Sequence, residues 1–271
     1  MIVYPNSKIN LGLHVTEKRS DGYHNIETVF YPIRWCDALE IIPAGEEPFD
    51  FSHSGLDISG NQETNLIYKA WLILNQKKGL PPLKVHLHKH IPMGAGLGGG
   101  SSDAAWFINT CNEQFQLGLY EEERLAMASQ LGSDCAFFIK NRPLMARGKG
   151  DEFSPIQVDL STYYLLTVYP NVHSNTALAY KNLTPKAPKY QLKTILETIP
   201  VNEWQGVLVN DFEPSVFAKY PEIETLKKKM MNMGSVYCSM SGSGSAVYAL
   251  YTSPPDVTQI HSNPYCLQNP E

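Results

Sequence analysis

The residues with the most chemical potential stand together at 92–103, in the run Pro92-Met93-Gly94-Ala95-Gly96-Leu97-Gly98-Gly99-Gly100-Ser101-Ser102-Asp103. Glycines let a backbone turn successive N–H groups toward one point without obstruction by Cβ atoms. A helix opening directly after such a loop adds unsatisfied N–H groups and the positive end of its dipole. The resulting cup suits a polyphosphate, and the hydroxyls of Ser101 and Ser102 can bond a phosphate oxygen or a water held on Mg²⁺. Gly94-x-Gly96-x-x-Gly99 also satisfies the dinucleotide fingerprint, but no strand ending in an acid follows about 20 residues on. Gly94-x-x-x-x-Gly99 begins a P-loop, yet Gly100 stands where that motif demands lysine. What remains is a serine-closed glycine loop for nucleotide phosphates.

Other candidates are scattered along the chain. An ammonium such as that of Lys8 can neutralise charge on a phosphoryl group and lower the pKa of a hydroxyl. Read alone, though, Lys8 is a surface lysine. The Asp134 carboxylate can take a hydroxyl proton as general base or, equally, cap the segment that follows it. Tyr23 and His24 come after a turn at Asp21-Gly22, where an aromatic face and an imidazole can recognise a base. For Phe30 and Tyr180 the plainer reading is core packing, and for Asn65 it is a helix cap. Ser241-Gly242-Ser243-Gly244-Ser245 reads locally as a mobile hairpin. His86, His88 and His90 alternate at a spacing that can chelate zinc; alternate polar residues on a half-exposed strand explain them better, and no metal site is assigned.

These residues must be positioned by regular elements. Ile9, Leu11, Leu13 and Val15 alternate, which predicts a strand with those four buried and Lys8, Asn10 and His14 on the other face. Strands are also expected at 23–31, 39–42, 49–51, 83–91 and 163–169, with two more flanking 241–245. A helix capped by Thr64 or Asn65 runs to Lys78 and stops at Gly79. Further helices are predicted from Ser102 to about Asn112, over 121–131, and around 191–199 and 221–233. The turn-rich segment 146–151 marks a candidate boundary, and the runs Glu121–Glu123 and Lys227–Lys229 read as solvated helix faces. The mixture, mostly antiparallel strands with helices, predicts an α+β fold in two lobes, 1–158 and 159–271.

The composition excludes several classes. Hydrophobic residues make up 43% and charged residues 18% of the 271 residues, so the chain buries a core. A formal charge of −5 provides no broad attraction to nucleic acid or acidic membranes. Five widely spaced cysteines without a C-x-x-C pair argue against a disulfide framework and for a reducing compartment. The N-terminal run carries no signal-peptide pattern and no stretch is long enough to span a membrane, so a cytoplasmic location is expected.

The glycine loop resembles the phosphate loop of the GHMP kinases (galacto-, homoserine, mevalonate and phosphomevalonate kinases). Further segments agree in order along nearly the whole chain: Lys8-Ile-Asn-Leu11, Asp21-Gly-Tyr-His24, Asn65-Leu-Ile67, Leu131-Gly-Ser-Asp134, Asn210-Asp-Phe-Glu-Pro214 and Met240-Ser-Gly-Ser-Gly244. The loop alone points only to the superfamily; Asp-Gly-Tyr-His points to a branch acting on a cytidine diphosphate-linked alcohol. The resemblance implies an N-terminal lobe like ribosomal protein S5 domain 2, a C-terminal ferredoxin-like lobe, and an active site in the cleft between them. It implies ATP as co-substrate with Mg²⁺, no nucleic-acid or membrane partner, and a monomer or weak homodimer. It assigns Lys8 and Asp134 to catalysis, and Asn65 with residues 92–102 to the nucleotide. Asn10, Tyr23, His24, Phe30, Thr176, Tyr180, Gly242 and Ser243 fall to the cytidyl substrate. Asn6-Ser7 where the family has Pro-Ala, Asp151 for Glu and Ser243 for Thr are departures that remove no proposed catalytic group. Other GHMP kinases and a catalytically dead nucleotide sensor of the same fold are the competing expectations.

Overall fold

The computed structural model describes residues 1–43, 46–181, 183–260 and 263–270. The chain divides into two compact units: Met1–Ser7, Trp35–Met93 and Gly98–Arg142 form the first, and Lys8–Arg34, Gly94–Leu97 and Pro143–Glu271 the second.

The first unit holds a sheet of strands β1 (Ile2–Val3), β4 (Ala38–Pro43), β6 (Leu83–Lys89) and β5 (Phe49–Gly55), hydrogen-bonded in that order. Pairing is antiparallel except between β5 and β6. The buried sheet face is apolar, with Leu39, Ile41, Val85 and Leu87 at most 1% exposed. Among the described residues its α-helices are α1 (Leu66–Lys78), α2 (Gly99–Gln114), α3 (Glu121–Leu131) and α4 (Cys135–Lys140). Helix α1 buries Ile67, Ala70, Trp71 and Leu74, the stripe expected from 3.6-residue spacing, and Gly79 ends it in the left-handed conformation that glycine adopts without strain. Helix α2 begins at Gly99, three residues before the predicted start, so the last glycines of the loop form its first turn. Gly99 has to be small, because a Cβ there would stand 2.9 Å from the Ile91 side chain.

Among the described residues the second unit contains two sheets. One runs β2 (Asn6–Lys18), β3 (His24–Cys36), β7 (Leu144–Arg147), β8 (Glu152–Pro155); the other is antiparallel, in the order β10 (Tyr237–Met240), β11 (Val247–Tyr251), β9 (Tyr164–Val168), β12 (Tyr265–Gln268). Helices α5 (Thr176–Lys181), α6 (Leu192–Thr198), α7 (Glu213–Lys219) and α8 (Pro221–Asn232) complete it. Leu13, Val15, Leu166, Val168, Phe212, Ile223, Met230, Val247 and Ala249 share one core. The turn-rich segment 146–151 holds the end of β7 and the turn into β8, inside the second unit, and the chain passes between units at 7–8, 34–35, 93–94, 97–98 and 142–143.

One expectation about polar faces holds in part and another fails. Lys228, Lys229, Glu121 and Glu122 are exposed as expected, but the Lys227 ammonium lies 2.6 Å from Glu213, with both side chains 14% exposed. The face of β2 carrying Lys8, Asn10 and His14 is as buried as the aliphatic one, with all three at most 4% exposed. Alternation separates two faces of a strand; it does not say that either meets water.

Candidate functional site

In the second unit, residues 94–97 of the glycine loop are tied down by their carbonyls. The Ala246 N–H donates to the Ala95 carbonyl at 3.0 Å, and the Lys8 N–H to that of Leu97 at 3.0 Å. The Gly96 carbonyl accepts from Lys8 Nζ at 3.0 Å and from Ser241 Oγ at 2.9 Å. Among the described residues no protein acceptor meets the N–H groups of residues 94–97. Donors left without protein acceptors beside anchored carbonyls are what an anion requires. Glycine is necessary at 96, where φ is 77° and a side chain would collide with the Ser241 carbonyl.

Lys8 is 3% exposed, which removes the surface reading. Its ammonium donates to Asn10 Oδ1 at 2.7 Å and stands 5.0 Å from the centroid of the Phe30 ring. Phe30, itself 2% exposed, is packed as support beneath that ammonium.

The residues expected at the cytidyl side gather in two groups. His24 stacks on Tyr180 with centroids 4.8 Å apart and planes 20° from parallel. Tyr23 stays 62% exposed, with the Lys149 ammonium 5.3 Å from its ring centroid. Asp21 builds the preceding turn by accepting the Tyr23 N–H at 3.1 Å and the Arg19 guanidinium at 3.1 Å. The Tyr23 N–H holds this carboxyl below its usual range, and Arg19 adds to the lowering against the opposing effect of desolvation. Thr176 Oγ1 and Ser243 Oγ meet at 2.8 Å, and Ser174 Oγ donates to the Ser243 carbonyl at 2.7 Å. Asn210 Nδ2 donates to the carbonyls of Met240 and Gly242, both at 2.8 Å, so the serine-glycine turn is anchored rather than a plain mobile hairpin. Asn210 lies in a segment the family resemblance singled out, but its role as anchor had no local signal.

In the first unit, Gly98 occupies the N-cap position of α2 with φ 71° and no side-chain cap, leaving first-turn N–H groups for a ligand. Pro92 is buried and Met93 exposed. Ser101 is half-buried, whereas Ser102 is fully buried with its hydroxyl lacking a protein partner, so it faces the interior and not the loop's open side. Asn65 caps α1, its Oδ1 accepting the Ile67 N–H at 2.8 Å. Asp134 occupies the N-cap position of α4 but makes no side-chain cap bond, and remains half-buried with Ser133 Oγ at 3.4 Å. The ring nitrogens of His86 and His88 bond Ser52 and Ser54 at 2.9–3.0 Å. Among the described residues no cluster of histidine, cysteine or acidic side chains is placed to hold a metal.

Sequence reading missed the charged group beneath the loop. Lys89 Nζ bonds Asp37 at 2.5 Å and Asp103 at 2.7 Å, with all three side chains at most 3% exposed. Asp37 also accepts the N–H groups of His90 at 2.6 Å and Ile91 at 2.8 Å, fixing the strand exit that leads into the glycines. Burial pushes the Asp103 carboxyl up to about 7, outweighing the Lys89 ammonium, with Asp37 adding to the rise. For Lys89, burial alone would lower the pKa, but Asp103 and Asp37 raise it. The only signal in the sequence was a lysine at an inward position of β6, after Leu83, Val85 and Leu87.

The GHMP kinases N terminal domain family matches residues 65–142, and the GHMP kinases C terminal family residues 191–263. A 4-diphosphocytidyl-2-C-methyl-D-erythritol kinase of Bacteroides thetaiotaomicron is 51% identical over 253 residues, covering 93% of this chain and 92% of its own. The kinase of the same name from Cytophaga hutchinsonii is 47% identical, covering 99% of this chain and 98% of its own. A crystal structure of 4-(cytidine 5'-diphospho)-2C-methyl-D-erythritol kinase superimposes with a TM-score of 0.84 at 29% identity, covering 98% of both chains. Identity at this level over nearly the full length, on a matching α+β architecture, makes the chain a member of the GHMP kinase family, in its 4-diphosphocytidyl-2-C-methyl-D-erythritol kinase branch.

Proposed function

We propose that this chain transfers the γ-phosphoryl group of ATP to the 2-hydroxyl of 4-(cytidine 5'-diphospho)-2-C-methyl-D-erythritol, a step of the non-mevalonate route to isoprenoid precursors. The observation that carries the reading is the glycine loop, whose carbonyls are bound by Ala246, Lys8 and Ser241 while, among the described residues, the N–H groups of residues 94–97 meet no protein acceptor. Close relatives bearing that substrate in their name support the acceptor.

The loop amides and the α2 N-terminus bind the triphosphate, and Mg²⁺ arrives as part of the Mg·ATP substrate on the nucleotide's own phosphates. Asn65 borders the nucleotide. Tyr23, His24 and Tyr180 take the cytosine, with Asn10, Thr176, Gly242 and Ser243 on the rest of the acceptor and Phe30 acting through Lys8. In the transfer the 2-hydroxyl oxygen bonds to the γ-phosphorus, the bond to the β,γ-bridging oxygen breaks, ADP leaves, and Asp134 takes the hydroxyl proton. The Lys8 ammonium offsets the charge spread over the transferring group, where most of the catalysis of phosphoryl transfer lies. Free thiols at Cys36, Cys111, Cys135 and Cys238 accord with a reducing, cytoplasmic setting.

The test is a phosphorylation assay that offers the cytidyl substrate, mevalonate and homoserine in parallel with Mg·ATP. Turnover of the cytidyl substrate alone is expected. Turnover only of mevalonate or homoserine, or ATP binding without transfer to any acceptor, overturns the reading.

A further inference from the structure

The Lys8 ammonium bonds one particular atom of Asn10, and the reason for that choice lies one residue deeper. Thr28, fully buried on β3, places Oγ1 2.5 Å from the Gly12 carbonyl and 3.0 Å from Asn10 Nδ2. A carbonyl can only accept, so the single hydroxyl proton of Thr28 goes to Gly12. The hydroxyl oxygen then has only lone pairs to offer Asn10, which must present its NH₂ to Thr28 and its oxygen to Lys8 Nζ, 2.7 Å away. The opposite amide orientation would aim two N–H donors at a buried ammonium. Gly12 holds a φ of 66° in mid-strand, and a side chain there would meet Leu192 and Leu208 at 2.6 Å. The backbone of Asn10 is pinned independently, since the buried Tyr248 hydroxyl donates to its carbonyl at 2.7 Å.

We infer that Thr28 is a positioning residue for phosphoryl transfer: its hydroxyl, oriented by the Gly12 carbonyl, fixes the Asn10 amide and through it the place of the Lys8 ammonium. This rests on the role proposed above for Lys8. Thr28 is fully buried and acts through Asn10.

The experiment compares Thr28→Val, which keeps the shape and loses the hydroxyl, with Thr28→Ser, Lys8→Ala and the double variant Lys8→Ala/Thr28→Val. Misplacement of a charge-stabilising group predicts a fall in kcat of about 10- to 100-fold for Thr28→Val, with KM for ATP within about twofold. Thr28→Ser keeps the hydroxyl and is expected to retain kcat within about threefold of wild type. In the double variant, removing the hydroxyl should slow Lys8→Ala by no more than about twofold, because both act through one ammonium. Wild-type kcat in Thr28→Val, or a full additional loss in the double variant, overturns the inference while leaving the role of Lys8 standing. Wild-type kcat in Lys8→Ala removes that role, and the inference with it. Should Thr28→Val fail to fold, Thr28→Ser decides: a loss beyond tenfold contradicts the inference, and retained kcat supports it.

Discussion

Strands β2 and β6 carry the same alternation of polar and apolar side chains and meet opposite circumstances. On β2 the polar face is buried, and its lysine donates to the Asn10 amide and the Gly96 carbonyl. On β6 the polar face is the open one, and His86 and His88 share hydrogen bonds with serines of β5. The apolar face of β6 then ends on a lysine of its own, Lys89, which is clasped by two carboxylates. Two buried lysines thus hold different parts of the chain. One donates to oxygens of the loop and of its own strand; the other is part of an ionic group that fixes how the chain enters the loop. A period of two says which side chains share a face, while the chemistry of the face is set by what covers it.

The contrast can be broken most forcefully at Lys89. Lys89→Met leaves Asp37 and Asp103 buried without their cation, and a loss of about 3–5 kcal/mol in urea unfolding is expected. A loss below 1 kcal/mol would mean that the ionic group is not structural. Tyr23→Ala, on the exposed side of the proposed cytosine site, should raise KM for the cytidyl substrate by the equivalent of about 1–3 kcal/mol of stacking, with kcat little changed. An unchanged KM removes Tyr23 from that site. Asp103 sharpens the comparison through pH. Burial holds its carboxyl at about 7, above the ordinary aspartate value of 3.8, so the native state holds an extra proton between those values and stability falls as pH rises across that window. Asp103→Asn should flatten this part of the stability–pH profile, whereas a slope identical to wild type would assign it elsewhere. At the small end, His86→Gln with His88→Gln on the open face should shift stability by no more than about 0.5 kcal/mol and leave kcat unchanged.

Much of this was legible in residue pattern. Helix α1 was expected from its apolar spacing, its Asn65 cap and its Gly79 stop, and it ends where they say. The start of α2 was placed three residues late because consecutive glycines disfavour a helix on propensity alone; packing of Gly99 against Ile91 and Lys89 outweighs that preference. Helix α7 and strand β12 were missed for different reasons. Glu213-Pro214 does carry a helix-start signal, with proline in the first turn, but the helix spans barely two turns. Strand β12 is half-exposed, and its pairing with β9 gives no periodicity to read. The group of Asp37, Lys89 and Asp103 joins residues far apart in sequence, and only the folded chain brings them together. Thr28 had a faint signal: a polar residue between Ile26 and Phe30, its apolar neighbours on one face of β3.

The most direct test is the rate of a single turnover of phosphoryl transfer to the cytidyl substrate at saturating Mg·ATP, in wild type and in Lys8→Ala, with ATP affinity measured alongside. If the ammonium offsets charge on the transferring group while the loop amides hold the nucleotide, the variant binds ATP within a few-fold of wild type and transfers it on the order of 10² or more times slower. Equal transfer rates in the two proteins would contradict that division of labour.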